Sequence, residues 1–449
     1  MDRQKKIFPW IFPAILAAVF LLAGAIGPAE PAEYEYINIS NPFLRKIPIA
    51  VPIFAAATEN QQTEELASED ADLLAETLAF TSVFTPLDRA AFLEKPRQTG
   101  VGKSDINCKN WRDIGADFLV TGRISVEEAK ITMELRLFDV IQEKLVVGKR
   151  YQGEAADHRR MVRRFCDEIM KRLTGHPGYF DSRIAFVSTG PGNKEIYTCE
   201  FDGHDPRRVT SNQVIDLSPA WSWDGRWLAY TSYENGQPDL FIRNLQDDRT
   251  MVVDREGVNI SPAWMPGRFA LAATLSFSGD QEIYLLTGSG KISRRLTRSW
   301  GIDVSPTFSP DGRRMAFVSG RSGSPQIYVK EIDTGRIQRL TFEGRYNTTP
   351  EWSPTENKVA FSAMEDNQFN IKVVDIDTRE TMQLTRDQGD NECPTWSPDG
   401  SLIVFSSTRE GGGPKLYVMT AIGTDQRRLL TLPGAQTNPA WSRGPTASK

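Results

Sequence analysis

Three histidines, His158, His176 and His204, are all that this 449-residue chain offers for imidazole chemistry. A serine hydrolase needs a histidine held by an acid beside its nucleophile, and no Gly-x-Ser-x-Gly elbow occurs anywhere. His158 opens a helical stretch, His176 lies in the break Thr174-Gly175-His176-Pro177-Gly178, and His204 lies in the turn Asp202-Gly203-His204-Asp205, so none is placed to complete a triad. The run Gly100-Val101-Gly102-Lys103-Ser104 imitates the end of a phosphate loop. Arg97 stands where the leading glycine is required and Lys95-Pro96 precedes it instead of a strand, so it reads as solvated loop. The four cysteines, Cys108, Cys166, Cys199 and Cys393, show no CxxC spacing for zinc, and no cofactor is expected. What remains is a set of polar residues at recurring positions: Asp216, Asn259, Asp303, Tyr346, Asn347, Asp390 and Glu392. Its carboxylates suit recognition of a basic peptide or a divalent cation. Solvated loops, or the acid–base groups of a hydrolase or lyase acting on carbohydrate or peptide, are the alternatives.

The elements that position this set are repeats. Each of its members lies in or beside a connection that precedes a Pro, a small or polar residue and an aromatic: Pro219-Ala220-Trp221, Pro262-Ala263-Trp264, Pro306-Thr307-Phe308, Pro350-Glu351-Trp352, Pro394-Thr395-Trp396 and Pro439-Ala440-Trp441. The prolines are 43, 44, 44, 44 and 45 residues apart. That interval, with Asp-Gly turns at Asp224-Gly225, Asp311-Gly312 and Asp399-Gly400, is the interval of four-stranded propeller blades. The short apolar runs between the turns, such as Trp227-Leu228-Ala229-Tyr230-Thr231 and Leu402-Ile403-Val404-Phe405-Ser406, read as half-buried antiparallel strands. The third unit is the weakest, with Met265-Pro266-Gly267 at its turn and Ala272-Ala273-Thr274 in place of the aromatic strand. The array begins at Arg183 without a Pro-aromatic strand and ends on Pro439-Ala440-Trp441 without a following blade. Six blades are therefore expected over residues 183–443, with one closed by a C-terminal strand and three N-terminal ones, which removes open sheet edges. If the Pro-aromatic strands are innermost, the polar connections ring one mouth of the central channel, and Asp216, Asp303, Asp390 and Glu392 make it acidic.

Before the array the rhythm changes. Met1 to Gly27 has a basic start, an apolar run and small residues at Ala23-Gly24-Ala25, the pattern of an export signal (1–27) cut after Ala25 or Gly27. The alternative is an uncleaved anchor, since the run is long enough to cross a bilayer. An oxidising compartment permits disulfides, with Cys108–Cys166 the preferred pairing and small buried thiols the other reading. Residues 34–175 form a small α/β domain: a strand Ile47–Phe54, a helix Glu64–Phe80, a strand Phe118–Ile124, a hairpin Lys130–Asp139 with Lys144–Tyr151, and a helix His158–Leu173 striped by Met161, Phe165, Ile169 and Leu173. Residues 176–182 form a linker. A net charge of −5 and the lack of basic runs argue against nucleic acid.

Three stretches together carry a resemblance: Ile47-Pro48-Ile49-Ala50-Val51-Pro52, Leu119-Val120-Thr121-Gly122-Arg123, and the junction from Leu173-Thr174-Gly175 to Tyr179-Phe180-Asp181-Ser182-Arg183. With the six repeats they resemble the TolB family of the Tol-Pal envelope system over essentially the whole exported chain. The resemblance implies a non-enzymatic periplasmic protein, monomeric and peripheral to membranes once its signal is cut. It implies that the propeller binds the peptidoglycan-associated lipoprotein Pal, with other outer-membrane lipoproteins or porins as further candidates. It also implies that the mature N-terminus, here Tyr34, Glu35, Tyr36, Ile37 and Asn38, binds TolA. The implied roles are outer-membrane integrity and constriction during cell division, and a route exploited in bacteriocin import. For Pal, the channel-mouth set Asp216, Asn259, Asp303, Tyr346, Asn347, Asp390 and Glu392 is the expected contact.

Overall fold

The computed structural model describes residues 45–58, 60–93, 102 and 106–443. The expected signal and the segment Tyr34–Asn38 lie outside the described residues. The first domain comprises β1 (Ile47–Ala50), β2 (Ala55–Ala56), α1 (Gln61–Phe80), β3 (Phe84–Pro86), α2 (Cys108–Asp113), β4 (Phe118–Glu127), β5 (Lys130–Asp139), β6 (Lys144–Glu154) and α3 (His158–Thr174). Its sheet runs β3-β1-β4-β5-β6, with β2 also on β4. The β1 pairings with β3 and β4 are parallel, and the β4-β5-β6 meander is antiparallel.

Helix α1 starts three residues before the expected point because Asn60 caps it, its Oδ1 accepting the Thr63 N–H at 2.8 Å. Helix α3 buries Met161, Phe165, Ile169 and Leu173 as the stripe requires, and Gly175 ends it in the left-handed region at φ 80°. The glycine in Leu119-Val120-Thr121-Gly122-Arg123 has a packing cause. A Cβ there would stand 2.6 Å from the Phe54 ring and 2.8 Å from Leu135. The strand expected over Ile47–Phe54 ends at Ala50, and α2 and β3 are additional elements. No disulfide joins any of the cysteines. The expected Cys108–Cys166 pairing is thus corrected: Cys166 is fully buried in the α3 stripe, whereas Cys108 opens α2 and packs at the edge of the Trp111 cluster.

Six four-stranded antiparallel sheets follow, each with its Pro-aromatic strand at one edge. Blade 1 joins Gln436–Trp441 to Arg183–Ser188, Glu195–Glu200 and Arg207–Arg208, which is the expected closure. Blade 3 is complete, with Ala270–Leu275 as its second strand. Three devices recur and explain the repeat. In the Asp-Gly turns, Ser222, Ser309 and Ser397 each donate a hydroxyl to Asp224, Asp311 and Asp399 at 2.6 Å, and the glycines take φ of 67–74°. Indole N–H groups of Trp221, Trp264 and Trp396 donate to the carbonyls of Ala440, Ala220 and Glu351 in the preceding blade at 3.0–3.1 Å. Thr210, Thr297, Thr341 and Thr385 each accept the N–H that opens a third strand at 2.9 Å, fastening the outer strand.

The innermost strands carry a further regularity. Ser218, Ser261, Ser305, Thr349, Cys393 and Asn438, each directly before its proline, adopt φ of 47–55°, and the strand register shifts there in every blade. A bulge thus turns each innermost strand at mid-height.

The domain junction is packed rather than solvated. Tyr179 and Phe180 are 3 % and 0 % exposed. Phe180 meets Phe201 edge-on at 5.2 Å, Tyr179 meets Trp441 at 5.6 Å, and the Trp441 indole donates to Ser182 at 2.8 Å. Arg163 of α3 forks onto both oxygens of Glu200 in blade 1. Arg427 of blade 6 donates to the Phe80 carbonyl at 2.5 Å and lies over the Phe80 ring, while Asp425 accepts from Ser82 and Lys46.

Candidate functional site

Strand direction sorts the propeller loops into two ends. The turn after each innermost strand and the turn between third and fourth strands lie at one end. The blade-to-blade connections and the turns between second and third strands lie at the other. Asp425 and Phe201 follow third strands, and Trp441 ends an innermost strand, so the first domain occupies the former end. The connections that carry the expected contact set ring the opposite end, which is uncovered among the described residues.

At that uncovered end the set divides. Asp216, Asn259 and Asp303 each begin an innermost strand, Asn347 is the second residue of its own, and all four are 0–1 % exposed. Asp303 accepts from Ser319 at 2.5 Å and Arg321 at 2.8 Å. Asn347 and Asn259 donate across to Gln326 and Asp239 of the preceding blade at 2.8 and 3.2 Å. Asn212 donates to Asp216 at 3.4 Å. Burial raises the carboxyls of Asp216 and Asp303 above the usual range. Asn259 and Asn347 tie neighbouring blades, Asp303 ties two strands of its own blade, and none of the four presents its side chain to a partner. The expected acidic mouth is corrected accordingly: Asp303 is paired with Arg321, and both Asp303 and Asp216 are 0 % exposed, so neither carboxyl faces a basic ligand.

Three of the set remain accessible. Tyr346 is 46 % exposed. Asp390 is half-buried, accepting the Phe369 N–H at 3.0 Å. Glu392 is half-buried, and burial together with Asp390 raises its carboxyl. Among the described residues no three His, Cys, Asp or Glu side chains stand close enough to hold a metal ion.

The dominant feature of this end is apolar. Trp300 is 82 % exposed and Phe342 61 %. Ile302, Ile215, Phe277 and Tyr233 are exposed in loops of the same end, and Tyr346 follows Phe342 in the same connection. Large apolar side chains exposed in the loops of one end of a rigid scaffold point to a protein interaction surface. Arg321 and Arg409 reinforce the rim from below, each lying over two rings of its blade, Phe317 with Tyr328 and Phe405 with Tyr417. Sequence reading passed over Trp300 and Phe342. Their signal was local: a tryptophan between Ser299 and Gly301, and a phenylalanine before Glu343-Gly344, inside connections otherwise made of polar and small residues.

Two family models match the chain: the TolB amino-terminal domain over residues 35–146 and the TolB beta propeller domain over residues 170–444. The Tol-Pal system protein TolB of Desulfosudis oleivorans is 71% identical over 418 residues, which are 93% of this chain and 95% of that protein. A protein TolB homolog of Chlorobium chlorochromatii is 44% identical over 274 residues, 61% of each chain. The crystal structure of TolB from Acinetobacter baumannii superposes with a TM-score of 0.77 at 27% identity, covering 89% of this chain and 97% of that one.

Proposed function

The chain belongs to the TolB family, and from that premise we propose that it is a non-enzymatic periplasmic adaptor of the Tol-Pal system. It binds the peptidoglycan-associated lipoprotein Pal at the uncovered end of the propeller and TolA through its mature N-terminus. By linking the two it maintains outer-membrane integrity and serves constriction during division. The observation that carries this reading is the aromatic rim, headed by Trp300 at 82 % exposure, on the end that the first domain leaves open. Exposed tryptophan and tyrosine are the side chains that most often dominate binding energy at protein interfaces. Tyr346, Asp390 and Glu392 are the members of the expected set that can reach a partner there, and the buried Asp216, Asn259, Asp303 and Asn347 support the loops that do.

For TolA the segment is Tyr34–Asn38, which lies outside the described residues. Arg45 and Lys46, the first residues described after it, sit at the domain junction, where Lys46 pairs with Asp425 at 3.1 Å. Photo-crosslinking in living cells tests the assignment. A crosslinker at position 300 is expected to trap Pal, and one at position 36 to trap TolA. The reverse pattern, or Pal trapped equally from exposed Ile141 of the first domain, would refute it.

A further inference from the structure

The other end of the channel holds a cavity of about 190 Å³, room for about six waters at ~30 Å³ each. Its wall is built from the second half of the innermost strands, beyond the bulges, so prolines, small residues and indoles from several blades face it. Two charged residues stand in this lining. Glu351 follows Pro350 in blade 5, at a position where the other blades carry alanine or threonine. Arg443 comes from the chain just beyond the closing strand, and its guanidinium rests over the Trp223 ring at 3.9 Å.

These two charges feel one another, yet no ion pair closes between them among the described residues. Burial pushes the Glu351 carboxyl up to about 7 and the Arg443 guanidinium down to about 10. Both side chains are half-buried; Glu351 keeps a hydrogen bond from Thr307 but has no cationic partner in contact, and Arg443 has no carboxylate in contact among the described residues, so each gains from a ligand group of opposite sign. An independent feature lies in the same wall. Trp352 is 3 % exposed, and its indole N–H has no acceptor, whereas Trp221, Trp264 and Trp396 at the equivalent positions all donate to a carbonyl. A buried donor left unpaired is destabilising unless something supplies an acceptor.

We infer that this cavity binds a small zwitterionic amino compound, in the simplest case an α-amino acid, with its ammonium towards Glu351, its carboxylate towards Arg443 and its side chain against the proline and indole wall. A simple anion would leave Glu351 unpaired, and a metal cation would meet the Arg443 charge. A molecule carrying both signs satisfies both groups and fits within the volume. The site is separate from the aromatic rim and does not depend on the adaptor reading.

Isothermal titration of the mature chain with glycine, L-alanine and D-alanine, beside ethylamine and propionate as single-charge controls, tests it. At least one of the three amino acids is expected to bind, with both controls weaker by about tenfold or more, since each lacks one charged hydrogen-bonded contact. Glu351→Gln and Arg443→Gln are each expected to abolish that preference. Thermal melting of both variants confirms that they remain folded; should Arg443→Gln fail to fold, Arg443→Lys, which keeps the charge, is expected to retain the preference while Glu351→Gln loses it. Absence of heat with every amino acid up to about 10 mM, a concentration at which even a few kcal/mol of binding registers, would overturn the proposal. Propionate binding as tightly as alanine would also overturn it.

Discussion

Replacing Asp167 with asparagine should stabilise the protein at alkaline pH and leave it unchanged in acid. Asp167 lies on α3 against the domain linker, where it accepts the Phe180 N–H and where the Gly178 backbone packs so closely that a Cβ would come within 2.4 Å of its carboxyl oxygen. Burial, and then the nearby Asp181, raise its carboxyl from 3.8 to about 7. A raised acid means that the folded state holds the proton more tightly than the unfolded one. This carboxyl therefore costs nothing below its unfolded value near 4, and its cost grows as pH rises through about 4 to 7. About three pH units at 1.36 kcal/mol each give an upper figure of about 4 kcal/mol, and partial solvent access brings the expected gain to about 2–3 kcal/mol. Asparagine keeps an acceptor for Phe180 and removes the repulsion with Asp181. The assay is urea unfolding of both proteins between pH 4 and pH 8.5, with contributions common to both cancelling in the difference. Asp167→Asn should show no difference at pH 4 and a higher midpoint at pH 8.5. A constant offset across the range, or a loss at pH 8.5, would refute the reasoning.

Other outcomes follow from the same geometry. Asp303→Ala should destabilise the propeller by about 2–4 kcal/mol because Arg321 and Ser319 lose a buried partner, whereas Trp300→Ala should leave the denaturation midpoint unmoved. Gly122→Ala should cost about 1–3 kcal/mol through overpacking against Phe54 and Leu135, measured by the same unfolding assay. A chain truncated after Pro433 loses the strand that closes blade 1 and exposes the edge at Arg183–Ser188; light scattering should show association that the full chain lacks.

Much of the fold is legible in the sequence because its causes are local and recur. The 43–45-residue spacing, the Asp-Gly turns and the unmatched strands at the two ends of the array specify six blades and their closure. The threonines after the outer strands and the tryptophans of the innermost strands recur for the same reason: Thr210, Thr297, Thr341 and Thr385, and Trp221, Trp264 and Trp396, each close one hydrogen bond in their blades. The candidate site is less legible. Asp216 and Asp303 stand one residue inside a strand, where a side chain is buried, and not one residue outside it, where it would be solvated; residue type cannot distinguish those positions. Trp300 and Phe342 look like core residues by type, and only the blade geometry shows them projecting from the rim. Glu351 and Arg443 lie 92 positions apart and meet only because the ring closes. Cys108 and Cys166 share a domain and a compartment that permits pairing, but one opens a short helix that sequence reading did not foresee and the other is sealed in the α3 stripe.

The most direct test of the adaptor account is a titration of the purified mature chain with the soluble domain of the same organism's peptidoglycan-associated lipoprotein. It would be run on the natural protein and on Trp300→Ala and Phe342→Ala, with exposed Ile141→Ala of the first domain as control. The account predicts saturable binding that each rim substitution weakens by about 2 kcal/mol, roughly thirtyfold, while Ile141→Ala binds as the natural protein does. Binding indifferent to both rim substitutions, or no binding by a folded chain, would contradict it.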